Sequence, residues 1–475
     1  MASNSKRLKS CSNSKRLKPC SNHEDRISGL PDEILCHILS FLFTREAVKT
    51  SVLSHRWTNV WTSVPILDLD EEEFHIDFKR RALPKGSQLI RHVPDWFAQY
   101  VNRVLLFRCP GDIQRFRLVV GRMDDVSLIY AWIATAIRRN VVELDLAVGI
   151  IRKPNFEIPK RLFMCSTLVR LKLWQHRYTR VMTPTSSNCF PSLKFFHVAV
   201  LNPGSDSMVK LFSRCLPVLE ELIIDGKLDT TAFNPNISAP KLKRLQIKLA
   251  VHKVNMIAAA DHYVYYVCRT FINVDAPNLE EFDICFDAMV SFSLKNAKRL
   301  RKAKIDFFKE ITDHDCFPGI ADRIHQICAG ICDAKYLTVK APIFAALDIG
   351  YRRLLPTFKN LNKLELQLQT CRCLQSLATL LRISPNLEHL RILPTREHMH
   401  VNEYNYCDDD NEDVLVHEWD APEFAHISLI SHLKTVCLWD FKGCPNEVEV
   451  AKYLVKHGKS LNKVTIHFRF GETKR

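Results

Sequence analysis

FPSLKFFHV (190–198), LPVLEELII (216–224) and APKLKRLQI (239–247) follow one another along the chain, and APNLEEFDI (276–284) and SPNLEHLRI (384–392) repeat the pattern further on. Each places a proline (Pro191, Pro217, Pro240, Pro277, Pro385) two residues before the first leucine of an L-x-x-L-x-L unit. In an extended strand the fourth and sixth positions point to one face, and the first leucine tucks in from the preceding turn. One unit therefore offers an apolar face that only a neighbouring unit can cover, and stacking completes the core. Proline suits the position before the strand because it ends the previous segment, lacks an N–H, and biases the residue before it towards an extended backbone.

Related units without the proline start at Leu168, Leu300, Leu361, Leu433 and Leu461. Leu168, Leu193, Leu219 and Leu242 begin successive units 23–26 residues apart, the leucine-rich-repeat period. The position eight residues after the first leucine of a regular repeat is Asn or Cys. Here His176, Lys227, Ala250, Asp287, Gln369 and Thr395 stand there, so no asparagine ladder forms and irregular connections are expected. The wide gaps at 243–278 and 306–356 predict helices or insertions. The pattern resembles the repeats of plant F-box proteins, and an α/β solenoid follows from it.

Upstream, DRISGLPDEILCHILSFLFTREAVKTSVLSHRWTNVW (25–61) carries more apolar side chains than three short helices can bury alone. Ile34, Leu35, Ile38, Leu39 and Leu42 form one stripe of a helix starting after Pro31, with Asp32 and Glu33 in its first turn. Thr44 is a candidate cap for a second helix containing Ala47, Val48, Ser51 and Val52, and a third turn carries Trp57, Val60 and Trp61. The order Leu30-Pro31-Asp32-Glu33-Ile34-Leu35, then Ile38 and Leu39, then Ser54, Arg56 and Trp57, resembles the F-box, the module that hangs substrate receptors from a Skp-family adaptor in cullin-RING ubiquitin ligases. Phe43 stands where many plant members have proline. The resemblance implies that Leu30, Pro31, Ile34, Leu35, Ile38, Leu39, Leu42, Val52, Leu53, Trp57 and Trp61 contact the adaptor.

Composition narrows the rest. The chain has 475 residues, 47% hydrophobic and 25% charged, a length suited to about three units or a repeat array. No long apolar run or secretory leader is visible, so neither membrane insertion nor export is expected. Seventeen irregularly spaced cysteines read as reduced thiols, most of them small core residues. The net charge is +15, and six of those charges belong to a duplicated tail, SNSKRLKSC followed by SNSKRLKPC, expected to be solvated and disordered, with nuclear import one use for it. The remaining excess lacks the aromatic interleaving of a single-strand platform, and no nucleic-acid partner is expected. Residence in cytoplasm, nucleus or both is the corresponding expectation.

Near residue 400 an acidic run appears, Asp408, Asp409, Asp410, Glu412 and Asp413, most simply a solvated loop. Beyond it a Trp-x-x-Pro opening at Trp419, a strand at Leu433–Trp439, FKG at 441–443, a helix around Glu447–Lys456 and a last strand at Leu461–Phe468 resemble the FBD domain of plant proteins. Val448, Ala451, Leu454 and Val455 are expected on the buried helix face, with Gly458 as the stop signal. Both flanking strands carry the repeat, so the FBD reads as a terminal pair closing the solenoid.

Catalytic constellations are missing. Gly458-Lys459-Ser460 runs from helix into strand, the reverse of a phosphate loop, and with 13 glycines the chain has no G-x-G-x-x-G or G-x-S-x-G. Cys371-x-Cys373, Cys328-x₃-Cys332 and His398-x-His400 lack second pairs at zinc-finger spacing, and Asp313-His314-Asp315 reads as a surface loop. No cofactor, metal or catalytic residue is therefore expected. The organisation expected is a basic tail (1–24), F-box (25–65), a connecting region with the start of the solenoid (66–139), leucine-rich repeats (140–400), an acidic linker (401–416) and an FBD domain (417–470). The resemblance implies a non-catalytic substrate receptor of a Skp–cullin–F-box ubiquitin ligase, bound to a Skp-type adaptor, through it to a cullin, and to a target protein. A receptor needing a small ligand and a ligase-independent scaffold are the alternatives.

Overall fold

The computed structural model describes residues 27, 29–73, 96–121, 123, 125–149, 156–175, 179–180, 189–201, 206–214, 216–228, 233–251, 258–259, 262–263, 270–286, 290–307, 320–340, 355–368, 375–394, 431–441, 443 and 445–468. The basic tail, the acidic run, Trp419, the Asp313–Asp315 stretch and the pairs at 371–373 and 398–400 lie outside the described residues. The chain divides into two compact units between Val64 and Pro65.

The second unit is built on a parallel sheet of fourteen strands: β1 (Ile66–Asp70), β2 (Arg115–Val120), β3 (Glu143–Val148), β4 (Arg170–Gln175), β5 (Phe195–Leu201), β6 (Glu221–Leu228), β7 (Arg244–Val251), β8 (Glu281–Phe286), β9 (Lys302–Phe307), β10 (Tyr336–Lys340), β11 (Lys363–Leu368), β12 (His389–Pro394), β13 (Thr435–Phe441) and β14 (Lys463–Phe468). Every strand pairs with its successor in sequence, as a solenoid requires. All ten predicted repeat units fall on strands of this one sheet. Four strands carry no predicted unit: β1 and β2, in what was read as the connecting region, β3 at the expected start of the repeats, and β10 in the 306–356 gap. The two strands of the FBD-like region, β13 and β14, end the same sheet.

Register makes the stacking explicit. Leu69, Leu118, Leu146, Leu173, Val198, Ile224, Ile247, Ile284, Ile305, Val339, Leu366, Ile392, Leu438 and Ile466 are consecutive partners, one per strand. A second apolar row runs beside it through Phe196, Leu222, Leu245, Phe282 and Leu364. The turn before each strand explains the proline. The amide of Leu193 donates to the carbonyl of Phe190, Leu242 to Ala239, Leu279 to Ala276 and Leu387 to Ser384, so the proline sits at the second position of a β-turn, where φ near −65° is wanted and no N–H is needed. Leu300 and Leu361 close the same turn on Ala297 and Phe358 without proline.

The return legs behind the sheet are irregular, as the missing asparagine ladder predicts. Asn236–Ser238, Thr270–Asp275 and Val290–Lys295 form a second, three-stranded parallel sheet behind the middle repeats. The helices Trp96–Phe107, Val126–Arg138, Asp206–Arg214, Ile320–Ile331, Gln375–Ile383 and Pro445–His457 serve elsewhere. Gap 243–278 thus contains a strand and a short antiparallel ladder (Ala258–Ala259 with His262–Tyr263), and gap 306–356 a helix and β10. Phe163, Phe190, Phe196, Phe212 and Phe233 form a chain of ring contacts 5.3–6.5 Å apart through the interior.

The last helix is rotated from the expected face. Val450 and Leu454 are its buried residues, Val448 and Ala451 are half-buried, and Val455 is exposed. The cause is spacing: Val450 and Leu454 are one full turn apart, and Val455 lies a further ~100° around the axis.

Candidate docking site

The first unit folds around two crossing constraints. Helix Asp32–Leu39 starts after Pro31, whose φ of −56° suits a position flanking a helix, and Asp32 and Glu33 meet the positive end of its dipole. Arg56, from the turn before helix Trp57–Val60, donates through Nε and Nη2 to Asp32 Oδ1 at 3.2 and 2.8 Å, and also to the Leu30 carbonyl. It ties the third segment to the start of the first. Both side chains are more than a third exposed, so the pair positions more than it stabilises. The Cys36 thiol donates to the Val60 carbonyl at 3.4 Å, a second link between the same segments.

The middle helix, Thr44–Lys49, has Phe43 at its cap position with no side-chain cap bond. Thr44 is the first helical residue and is buried, so the expected cap role is not taken. A 3₁₀ turn, Thr50–Val52, follows, its start secured by Thr50 Oγ1 donating to the Ala47 carbonyl at 2.7 Å.

The expected contact residues split into two groups. Leu35, Leu39 and Trp57 are at most 6% exposed and, with Ala47 and Val60, make the core of the module itself. The resemblance gives these three as adaptor contacts; their burial within the module places them mainly beneath the docking face. Ile34, Ile38 and Leu42, at i, i+4 and i+8, form the outward row, all exposed. Val52 and Leu53 are 85% and 65% exposed. Pro31 is exposed, and Leu30 and Trp61 are partly covered.

Two exposed aromatic residues belong with them and are absent from the expected contacts. Phe41 is 77% exposed, packed edge-on against His37 with ring centres 5.0 Å apart, and Phe43 is exposed beyond it. Their signal was present in SFLF (40–43), where aromatic side chains fill a helix-to-helix turn normally occupied by polar residues. So dense a set of exposed apolar groups on one small module is the mark of a protein-binding surface.

No cluster of three or more His, Cys, Asp or Glu suited to a metal occurs among the described residues. Cys328 is buried in helix Ile320–Ile331, its thiol pushed up to about 12 chiefly by desolvation, an inert core group. Gly458-Lys459-Ser460 follows helix Pro445–His457, and the Gly458 amide donates to the Leu454 carbonyl at 3.0 Å, a helix stop.

Comparison with known proteins identifies the parts. The F-box domain model matches residues 27–69, a model of the leucine-rich repeats of the FBD-associated F-box protein At5g56370 matches 129–303, and the FBD model matches 428–466. The chain is similar to the F-box/FBD/LRR-repeat protein At1g13780 of Arabidopsis thaliana, 30% identical over 464 residues that cover 94% of this chain and 91% of the relative. It is also similar to two F-box/LRR-repeat proteins of the same plant, At4g14096 (30% identical, 77% and 72% covered) and At1g06630 (30%, 78% and 84%). With an exposed apolar F-box, a one-per-repeat parallel sheet and the FBD strands at its end, the chain belongs to the plant F-box/FBD/LRR-repeat proteins.

Proposed function

We propose that the chain is the substrate-recognition subunit of a Skp–cullin–F-box ubiquitin ligase: its F-box docks a Skp-type adaptor and through it a cullin, and the repeat and FBD region holds a target protein for ubiquitination. The observation that carries this reading is the exposed apolar surface of the F-box, Ile34, Ile38, Phe41, Leu42, Val52 and Leu53 standing over a closed core of Leu35, Leu39 and Trp57. Burying six such side chains at roughly 1.5–3 kcal/mol each yields on the order of 10 kcal/mol gross, of which association and ordering costs cancel a large part. The surplus suits a stable interface. The subunit does no covalent chemistry of its own; holding a target lysine near the ubiquitin-charged partner raises its effective concentration.

Co-expression with a tagged Skp-type adaptor and a cullin tests the proposal. Wild-type chain is expected to co-purify, and a Val52→Asp/Leu53→Asp variant to fold, by circular dichroism and melting, but to lose the adaptor. Leu35→Ala, by contrast, is expected to lower the stability of the F-box itself. Retention of the adaptor by the folded double variant would show that docking uses some other surface, and a folded wild type that recovers neither partner would sink the ligase reading.

A further inference from the structure

The sheet has one face packed on the repeat core and one open face, and register arranges the open-face residues in rows, one residue per strand. Along β1 to β8 the charges on this face largely pair off. Arg117 meets Asp68 at 2.6 Å and Asp70 at 2.8 Å, His197 meets Asp225 at 2.6 Å, and Arg244 meets Glu221 at 2.9 Å. From β9 onwards the pattern changes. Among the acids of β9–β14, Asp306 is engaged by Lys340 at 2.6 Å and Glu365 by Arg391 at 3.5 Å and the Tyr336 hydroxyl at 2.9 Å, and Asp440 stands near the end of β13. Lys302, Tyr336, Lys363, His389, Thr435 and Lys463 form one continuous row that begins beside Glu281 of β8. Its lysines are exposed and make no ion pair among the described residues; Lys302 and Lys363 flank the Tyr336 ring from both sides, 5.6 and 5.0 Å from its centre. Lys335 adds another exposed cation one residue before Tyr336. Trp439, stacked on His467 at 3.8 Å and 5.8 Å from Arg391, provides a half-exposed aromatic surface beyond them.

We propose that the β9–β14 half of the open face, centred on Lys302, Tyr336, Lys363 and Arg391, binds an extended acidic segment of a separate polypeptide. This rests on the receptor reading above and names the chemistry of its target. Lys302 and Lys363, two strands apart, stand about 10 Å from each other; a peptide in the extended polyproline II form, with three residues per turn and ~3.1 Å per residue, presents acids at i and i+3 on one side at about that spacing. Two features favour a peptide over a nucleic acid. Tyr336 is held between two lysines with its hydroxyl on Glu365, and Trp439 already stacks on His467, so neither ring is free as a base platform.

The test uses the full chain bound to its adaptor and fluorescein-labelled extended peptides carrying acids three residues apart, with the Asn/Gln version as control, read by anisotropy at two salt concentrations. The acidic peptide is expected to bind, to weaken as salt rises, and to lose about tenfold or more in affinity with Lys302→Glu/Lys363→Glu, while Lys172→Glu/Lys248→Glu on the earlier strands leaves it unchanged. Equal loss from both double variants overturns the proposal, since general attraction to a basic protein then accounts for the binding. So does a single-stranded RNA that outcompetes the peptide at the same residues. Binding that appears only after Asp408, Asp409, Asp410, Glu412 and Asp413 are neutralised assigns the patch to the chain's own acidic run and overturns it as well. Adaptor recovery in the same samples separates these outcomes from failure of the receptor reading.

Discussion

Replacing Ile247 by alanine and, separately, Ile466 by alanine tests the claim that all fourteen strands share one ladder and that β14 is its end. Both residues occupy the same apolar row, but Ile247 has no exposed surface and pairs with Ile224 on one side and Ile284 on the other, whereas Ile466 is 36% exposed and pairs only with Leu438. Isoleucine to alanine removes three carbons, about 2.4 kcal/mol at ~0.8 kcal/mol each. At Ile247 the closed surroundings leave a cavity, which brings the cost to about 3–4 kcal/mol. At Ile466 roughly two thirds of the transfer term applies and solvent relieves the cavity, giving about 1.5 kcal/mol. Hydrogen exchange read by mass spectrometry suits a repeat array better than one melting temperature, because neighbouring repeats open locally. Ile466→Ala is expected to speed exchange in β13, β14 and the helix between them only. Ile247→Ala is expected to speed it in β6 to β8 and outward from there. If Ile466→Ala costs as much as Ile247→Ala, or its effect reaches the central strands, β14 is not a terminal repeat and the ladder is wrongly ordered.

Two further outcomes follow from close packing and burial. Gly458→Ala would place a Cβ 2.8 Å from the Leu454 carbonyl oxygen and 3.2 Å from Leu461 Cβ, so it is expected to cost about 1–3 kcal/mol and to loosen helix Pro445–His457 and β14 by the same exchange measurement; an unchanged pattern refutes the close approach. Desolvation, with a smaller contribution from Cys332, pushes the Cys328 thiol up to about 12, against about 8.5 for an ordinary cysteine. A raised pKa favours the native state only while the thiol is protonated. Its stabilising contribution is therefore intact below about pH 8.5 and drains away as pH rises towards 12, so stability is expected to fall through that window less steeply in Cys328→Ala than in wild type. In native protein near pH 8, iodoacetamide is expected to label exposed Cys109 and spare Cys328; equal labelling would contradict the burial.

What the sequence reveals of the sheet depends on how literally the repeat is read. The ten visible units all begin with leucine. In β2, β3 and β10 the corresponding residue, three before the first buried strand position, is Ile113, Val141 or Ala334, each fully buried and each doing the same job with a different side chain. A motif defined by leucine passes over them, although burial asks only for an apolar group of tolerable size. In the F-box the difficulty is angular. Leu35 and Leu39 form one row and Ile34, Ile38 and Leu42 another, displaced by a single residue, or ~100° around the helix. A hydrophobic stripe wide enough to include both does not say which row faces the module's own core and which faces out. Packing against Trp57 and Val60 decides that, and those residues arrive from another helix.

The open face is the least legible part, for a related reason. Its residues alternate with the buried apolar positions of each strand, and along the chain they read as scattered charges of both signs, which is why the basic excess outside the tail pointed to no partner. Register reorders them: residues 26 to 46 positions apart, such as Tyr336, Lys363 and His389 or His389 and Thr435, become neighbours about 4.8 Å apart. On the early strands this juxtaposition brings opposite charges together and they neutralise one another. On the late strands it brings Lys363 beside a tyrosine and a histidine, with no acid as its register partner on either side, and only Lys302, at the boundary, stands next to an acid, Glu281. A repeat array could relieve this excess of like charge with a single Lys to Glu change at almost any of these exposed positions, because none of them packs in the core. Cations left unpaired on the face that the repeat architecture presents to solvent are best explained by an external acid that pairs with them, and the charge-reversal pair Lys302→Glu/Lys363→Glu asks whether that acid belongs to a peptide partner.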